Sequence, residues 1–466
     1  MLNLPNLTPI TKNTFTISAF EGLDKRAGAG EKTLSHTKNM SVRDLPILST
    51  RKGRKKLFTP ASNEKITGIF WFGKVYVTTA YNGKTKIYCG DDFTSLTNVF
   101  ISEEDELVTS MLCQFKNYIC VFNLKTELGS QNMMYATPST MSFAGRYEAP
   151  DFADVTVYAG RVIGCRRKQL RGCAYGDISV WDSTVEYEDR TKRAYSKNFE
   201  TKSNFTACTT YKNRAIFFTA DEMFELYGNN PDQFNLVKIA DVGCVNRFAL
   251  CEVDGKLFFV SKEGVMKYTG TTPALISDAL CNVPRAEGEK YSATLCGSGR
   301  TMYVYFEGAQ GKSLYTYNTE MGLWAREDDF AAVCGVSICG KVFFATEDGV
   351  WEFEKSYNED YENNDGASFD WEVLTQDIHY YCPLKKRSAS IDFYLVQPIR
   401  SRVYVYAAYD GGEFELVRVL LPSANGAVCI PLGNREFQSI RIKICGSGEA
   451  QIHYLSRVFS LGGKLK

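Results

Sequence analysis

The sequence predicts an all-β protein: a seven-bladed β-propeller followed by a small antiparallel β-sandwich of jelly-roll type. Three observations favour this fold class. Short apolar hairpins recur at a nearly constant interval along the chain. Aromatic residues at 13% and 37 glycines suit many short strands and tight turns. The sequence lacks the 3.6-residue hydrophobic period of long helices, so no helix is predicted.

The clearest hairpin lies within residues 248–276. Asp254-Gly255 separates two apolar runs, and Asp-Gly is typical of a type I′ turn, in which both central residues take a positive φ. Further strands are predicted at 265–268 and 274–276, which gives a four-stranded meander. Because one small sheet cannot bury both of its faces, such a unit is expected to stack against copies of itself.

The hairpin recurs about every 44 residues, within the ~40 to 50 residues of a propeller blade. Its turn is marked by Gly or Asn ahead of β-branched and aromatic residues, at Gly73, Asn117, Gly160, Asn213, Gly255, Gly299 and Gly340. Third strands are predicted at 85–88, 133–136, 173–175, 223–227, 265–268, 313–317 and 350–353. Seven markers predict seven blades.

The expected domains are an N-terminal closing strand and extended arm (1–60), the propeller (61–380) and the sandwich (385–466). Residues 15–20 alternate like a strand and are expected to close the ring by pairing with 369–374. The acidic, Asn-rich stretch 357–366 is expected to be a loop. The sandwich is predicted from about six alternating strands, at 390–396, 402–409, 414–421, 427–432, 437–444 and 450–459.

Composition narrows the functional classes. Lys plus Arg equals Asp plus Glu, 54 each, so no global field draws the chain to nucleic acid or an anionic membrane. The sequence has no apolar run of transmembrane length and no signal peptide, which predicts synthesis in a cytoplasm. The fifteen cysteines lack CxxC pairs and are expected to be buried thiols. Cys165 and Cys173 bracket one hairpin, and a disulfide across it is a minor alternative.

Groups for catalysis are sparse. The three histidines have no second ligand at metal spacing, and the nucleotide-binding and nucleophile motifs are missing. Acidic runs at 103–106 and 327–329 are expected to be solvated loops, since adjacent carboxylates repel each other. We therefore expect no enzyme activity, no catalytic residue, no metal and no cofactor.

Two basic clusters are the candidate binding residues. The first has five cations within residues 51–56, and the second has four on one predicted loop at 166–171. Solvated surface is the ordinary interpretation of such clusters. The alternative is contact with an acidic partner, including DNA phosphates. The candidate residues are Arg51, Lys52, Arg54, Lys55, Lys56, Arg166, Arg167, Lys168 and Arg171.

The N-terminal segment also resembles a known family. Residues 20–24 (FEGLD), 39–40 (NM) and 44–54 (DLPILSTRKGR) are similar to the start of tailed-bacteriophage structural proteins of the packaged-DNA stabilisation or tail protein type. Similar patterns recur at 204–228, 255–270 and 315–328. The basic hairpin between Cys165 and Cys173 departs from the family pattern.

The resemblance implies a virion structural protein: a propeller at the head-tail junction or tail, in several copies around a symmetric axis. Its partners would be portal, adaptor or tail proteins, with DNA contact weakly supported and no membrane. Its location would be the virion, after synthesis in the host cytoplasm. One alternative is a glycan-binding adsorption module whose sandwich acts as a lectin. A propeller hydrolase is a third class, with the least support because paired acids are missing.

Overall fold

The computed structural model describes residues 12–102, 110–124, 133–137, 144–281, 292–308, 311–328, 330–355, 360–362, 365–380, 384–397, 402–421, 426–433 and 435–461. Within these ranges the chain forms β-strands and two single-turn 3-10 helices, Arg190–Lys192 and Asp278–Leu280. The protein is therefore all-β, as predicted.

The N-terminal segment contributes strands to three different sheets. Its strands are β1 Lys12–Ile17, β2 Leu34–Lys38, β3 Met40–Ser41, β4 Leu48–Thr50 and β5 Gly53–Phe58. The last of them, β5, joins the central repeat, and the other four join sheets near the C-terminus.

The middle of the chain folds into successive four-stranded antiparallel meanders, seven among the described residues. The first six contain β6 Glu64–Trp71, β7 Val75–Tyr81, β8 Lys84–Gly90, β9 Thr97–Ile101; β10 Met111–Phe115, β11 Tyr118–Phe122, β12 Met133–Ala136, β13 Ala144–Tyr147; β14 Asp154–Tyr158, β15 Arg161–Arg166, β16 Gln169–Gly172, β17 Tyr195–Asn198; β18 Phe205–Tyr211, β19 Arg214–Thr219, β20 Met223–Tyr227, β21 Asn235–Ala240; β22 Leu250–Val253, β23 Lys256–Ser261, β24 Gly264–Tyr268, β25 Ala274–Leu275; β26 Ser292–Ser298, β27 Thr301–Gly308, β28 Gly311–Asn318, β29 Leu323–Arg326. In the seventh, β5 pairs as the fourth strand with β30 Cys334–Ile338, β31 Lys341–Thr346 and β32 Gly349–Lys355.

The first turn of each meander lies at a predicted marker. Asp254 and Gly255 have φ angles of 51° and 67°, both in the left-handed region that a type I′ turn requires. Ala159-Gly160, Lys212-Asn213 and Cys339-Gly340 have two positive φ angles as well. The hairpin prediction is confirmed at all seven markers.

One predicted third strand is wrong. The strand expected at 173–175 is β16, Gln169–Gly172, which pairs with β15. The turn between β15 and β16 is only two residues long, and its first residue, Arg167, has a φ of 51°. The chain therefore reverses before the apolar residues at 173–175, which follow the strand.

The stretch 357–366 is also not simply a loop. Two short strands, β33 Asp360–Glu362 and β34 Asp365–Ala367, pair as a hairpin and extend the seventh meander beyond β5. The backbone edge of β5 explains this result, because an open strand edge can pair with one further strand.

Two sheets follow the repeat. Their strands are β35 Asp370–Thr375, β36 Lys386–Val396, β37 Val403–Tyr409, β38 Glu415–Leu420, β39 Gly426–Pro431, β40 Glu436–Phe437, β41 Ile440–Ser447 and β42 Gln451–Leu461. One sheet has the order β2-β35-β41-β37-β38. The other has β3-β4-β42-β36-β39, with β1 on β42 and β40 on β36. A single hydrophobic cluster, including Phe393 of one sheet and Val405 of the other, lies between them.

The expected ring closure is corrected by these pairings. β1 pairs with β42, and β35 pairs with β2 and β41, so residues 15–20 and 369–374 do not pair with each other. The strand that joins the chain start to the last meander is β5, with Lys55 opposite Glu352. The sequence did not predict β5 as a strand, because a run of Arg and Lys lacks the apolar alternation that is typical of strands.

Apolar side chains connect neighbouring meanders. Ile87 of the first meander packs with Ile119 of the second, and Ile66 of the first packs with Phe343 of the seventh. The initial strand of the seventh meander, β30, also contacts β6 of the first. The series of sheets therefore closes on itself in a propeller-like all-β fold.

Candidate functional site

The first basic cluster lies mainly inside the molecule. Arg51 and Arg54 have side chains only 1% and 6% exposed. Arg54 donates to Glu327 Oε2 at 2.6 Å and lies 2.9 Å from Asp328 Oδ1. Arg51 donates to Asp328 Oδ2 at 3.2 Å. Both arginines thus neutralise acids at the end of the sixth meander.

Aromatic rings and the backbone complete this buried joint. The Arg51 guanidinium lies 3.8 Å from the centre of the Phe369 ring, and Arg51 Nε donates to Asn39 Oδ1 at 3.0 Å. The Arg54 guanidinium lies over Phe330 and Phe353, 5.1 and 4.7 Å from their centres. Neither guanidinium is placed to contact an external phosphate.

The acids of this joint correct the expected solvated loop at 327–329. Glu327 is 2% exposed. Burial by itself would raise the pKa of Asp328, but the charges of Arg54 and Arg51 outweigh burial and lower that pKa. Asp329 and the acidic run 103–106 lie outside the described residues.

The lysines of this cluster reach solvent only in part. Lys52 and Lys55 are half-buried, whereas the side chain of Lys56 is only 8% exposed. Lys56 Nζ donates to Asp348 Oδ2 at 3.1 Å and lies 5.4 Å from the Trp351 ring centre. The cluster predicted as one basic patch is therefore divided between an internal joint and a strand surface.

The second cluster forms a surface cleft. Arg166, Arg167 and Lys168 are exposed at the β15–β16 turn, and Arg171 is half-buried on β16. All four line an open cleft of about 680 Å³. The other lining residues are Pro150, Asp151, Phe152, Gln169, Asn198 and Asn204. We call this site the basic cleft.

Local contacts orient three of its cations. Arg166 pairs with Asp151, Lys168 Nζ donates to the Thr201 carbonyl at 2.6 Å, and Arg171 Nε donates to Gln169 Oε1 at 2.9 Å. Four cations face one carboxylate among the described lining residues, so the cleft carries a net positive charge. Its guanidinium, ammonium and amide groups can donate hydrogen bonds to carboxylate or phosphate oxygens.

A second depression adjoins the basic cleft. It encloses about 540 Å³, and Pro150 and Arg171 line both spaces. Its wall includes Trp181, Asp182 and Ser196. An extended ligand could therefore contact both depressions across Arg171.

Sequence reasoning found the four cations but missed the amides. Gln169 lies within the hairpin, whereas Asn198 ends β17 and Asn204 precedes β18. Asparagine between strands is ordinary turn chemistry, so nothing in the sequence distinguished these two residues from other loop asparagines.

The two cysteines beside the hairpin do not face each other. Cys165 lies opposite Leu170 in the strand register, while Cys173 Sγ accepts from the Val162 N–H at 3.2 Å. Both are buried free thiols, and burial raises the pKa of Cys173 to about 12. The alternative of a disulfide across the hairpin is not found.

A half-buried acid, Asp154, begins the first strand of the same meander. Asp154 Oδ2 accepts from the Cys208 N–H at 2.8 Å, and Oδ1 accepts from the Val155 N–H at 3.0 Å. Burial raises the pKa of Asp154 to about 6, although these hydrogen bonds and the Arg247 charge favour its ionised form.

The described residues contain neither a metal-binding cluster nor a membrane-spanning helix. No group of three or more His, Cys, Asp or Glu side chains in those ranges is arranged to hold a metal ion. No helix in them has the length and apolar character to cross a membrane.

No protein-family model and no curated protein matches the chain. Among solved structures, it is similar to a quinonprotein alcohol dehydrogenase-like protein of Bacteroides thetaiotaomicron, with 13% identity, a TM-score of 0.40, and 63% of this chain and 70% of that one covered. It is also similar to PorZ, a surface component of the type-IX secretion system of Porphyromonas gingivalis. That match has 10% identity and a TM-score of 0.39 and covers 79% of this chain and 55% of that one. Similarity at this level carries no argument about what the chain does.

Proposed function

We propose that this chain is a non-enzymatic virion structural protein of a tailed phage, a building block of the head-tail junction or tail that acts through protein-protein contacts. In this proposal the seven meanders are the blades of one propeller, and the two C-terminal sheets form a jelly-roll-like sandwich. Its partners are other virion proteins, portal, adaptor or tail proteins, and several copies surround a symmetric axis.

The position of the family-like residues carries the proposal. Asn39 lies in the resembling segment and bonds in two directions: its N–H donates to the Arg326 carbonyl at 3.0 Å, and its Nδ2 donates to the Asp370 carbonyl at 2.7 Å. The Arg51 N–H donates to the Asn39 carbonyl at 2.9 Å. The resembling segment thus fastens the sixth meander to a C-terminal sheet.

A second part of that segment reaches the same meander. The Leu23 N–H donates to the Trp324 carbonyl at 2.7 Å, and a Cβ on Gly22 would lie 2.8 Å from that carbonyl oxygen. A spacer repeated around an axis must hold its two ends at a fixed separation, and such a fastening supplies stiffness. The resemblance and this joint therefore support one function.

The basic cleft is the surface that we assign to an acidic partner in the particle. Carboxylates of a neighbouring virion protein fit its forked guanidinium donors, and DNA phosphates have the same donor requirement. In this proposal the basic cleft binds its partner noncovalently, and no covalent bond is made or broken.

Peptide quantification on purified particles tests the proposal. Particles from a culture that carries this gene would be banded on a density gradient, and each fraction analysed by mass spectrometry. We expect peptides of this chain to follow the major capsid peptides at one constant ratio across the particle band. Peptides found only with free protein at the top of the gradient would overturn the proposal.

One observation favours a second candidate, glycan binding. Tyr394 is 38% exposed, and its ring lies 6.4 Å from that of Tyr454 on the adjacent strand. Exposed aromatic rings can pack against sugar faces. A glycan array with the full chain decides: signal lost in Tyr394→Ala supports this candidate, and silence across the array removes it.

A further inference from the structure

The strand β38 forms an open edge of the five-stranded C-terminal sheet. It pairs with β37, and no other strand of the described ranges pairs with it. An edge strand presents alternating N–H and C=O groups that can receive another strand. The side chains on β38 indicate which strand fits.

One face of this edge is apolar. Leu416 lies opposite Tyr406, and Val419 lies opposite Tyr404. Leu416 is 53% exposed and Val419 is 37% exposed, while both tyrosines are half-buried. Cross-strand partners share a face, so these four side chains form one patch on the outer side of the sheet.

The other face of the edge carries two opposite charges. Glu415 lies opposite Ala407, and Arg418 lies opposite Val405. A register shift lies between these two pairs, so Val417 is left out of the pairing and Glu415 and Arg418 point to the same side. Both charged residues are exposed.

This pattern is complementary to itself. When two copies of β38 run antiparallel about a two-fold axis at Leu416, the two Leu416 side chains meet. Glu415 of each copy then lies opposite Arg418 of the other, because Val417 is skipped in both strands. Opposite charges directly across a strand pair stabilise it, and like charges destabilise it.

We propose that β38 is a homodimer interface, in which two copies of this chain join their five-stranded sheets edge to edge through Glu415–Arg418 pairs. A partner strand with only acidic or only basic side chains would place a like charge opposite either Glu415 or Arg418. The pattern therefore favours a second copy of this chain over an acidic or a basic peptide. An identical surface on both partners is what a two-fold interface requires. This inference goes beyond the proposed function and does not depend on it.

Charge reversal tests the pairing. The molar mass of the full chain would be measured by analytical ultracentrifugation over a concentration series. We expect the native chain to dimerise and Glu415→Arg and Arg418→Glu each to weaken the dimer at least about tenfold, since each places like charges opposite one another. The double variant E415R/R418E is expected to return to within about threefold of the native dissociation constant, because the pairs are restored in reverse.

A matched control separates the interface from a contact within the chain. Glu415 also pairs with Arg435 at 3.0 Å, and Arg435→Ala removes that pair without changing β38. We expect Arg435→Ala to dimerise as the native chain does. A native chain that stays monomeric throughout the series, single variants with unchanged affinity, or a double variant no better than the singles would each overturn the proposal. Circular dichroism melts on every variant confirm that the fold is retained.

Discussion

Arg54 lies 2.6 Å from Glu327, although 273 residues separate them, and both side chains are buried. Arg54 belongs to β5, the strand that brings the start of the chain into the last meander. Glu327 directly follows the last strand of the sixth meander. One ion pair therefore joins the closing strand to the neighbouring sheet, which identifies the basic segment as part of the fold.

Removing this arginine should be costly. Arg54→Met leaves the Glu327 carboxylate buried without its guanidinium, and we expect a loss of about 3 to 5 kcal/mol in the free energy of unfolding. Urea denaturation followed by tryptophan fluorescence measures it. Lys55→Met, on the same strand but half-buried, is the control and should change the value by about 0.5 kcal/mol or less. Equal effects of the two variants would contradict the role of the joint.

A different buried arginine should show the opposite sign. Arg457 is 1% exposed, and its three guanidinium nitrogens have no hydrogen-bond partner among the described residues. The rings of Tyr380 and Phe15 lie 5.1 and 5.8 Å from its guanidinium carbon, and the charge of Glu31 acts on it from a distance. Because burying an unpaired charge is unfavourable, we expect Arg457→Met to stabilise the chain by about 1 to 4 kcal/mol. A lower melting temperature for this variant would refute the expectation.

Asp154 should make stability fall as pH rises toward neutrality. Burial raises its pKa from 3.8 to about 6, so the folded state binds this proton more tightly than the unfolded state. The resulting stabilisation is complete below pH 3.8 and is lost as pH rises through 6. Asp154→Asn cannot ionise, and we expect its stability relative to the native chain to be greater at pH 7.5 than at pH 4. A difference that does not change with pH would contradict this assignment.

Thiol reactivity should follow burial. Burial raises the pKa of Cys113, Cys296 and Cys334 to about 12, which leaves almost no thiolate at pH 8. Cys281, Cys339 and Cys429 are exposed. Iodoacetamide labelling with mass spectrometry should modify these three in the folded chain, and Cys113, Cys296 and Cys334 only after denaturation. Early labelling of the buried cysteines would show that the sheets open readily.

Removing the positive charge of the basic cleft should impair particle assembly. Replacing Arg166, Arg167, Lys168 and Arg171 with Gln should lower particle yield or DNA retention, because an acidic partner loses its charge-assisted hydrogen bonds. A control variant makes the same charge change at four other exposed cations, Lys65, Lys74, Arg300 and Lys312. The comparison is particle titre and packaged DNA per particle. Identical values for both variants would remove the cleft from the proposed function.

Local chemistry explains what the sequence could predict. The turn at Asp254-Gly255 depends on two residues, and the strands after residue 385 alternate on their own, so both are readable without tertiary information. The burial of Arg51 and Arg54, just before and within β5, depends on Glu327 and Asp328. These acids are far away in sequence and pair with the arginines only in the folded chain. Likewise Asn198 and Asn204 join the basic cleft only after separate strands are placed side by side.

The most direct test is an electron cryomicroscopy reconstruction of the particle that carries this chain. The account predicts several copies around the axis of the head-tail junction or tail, each with seven radial sheets, β5 in the seventh, and Arg54 beside Glu327. A map of the complete particle without this chain, or one in which β5 lies outside the seventh sheet, would contradict it.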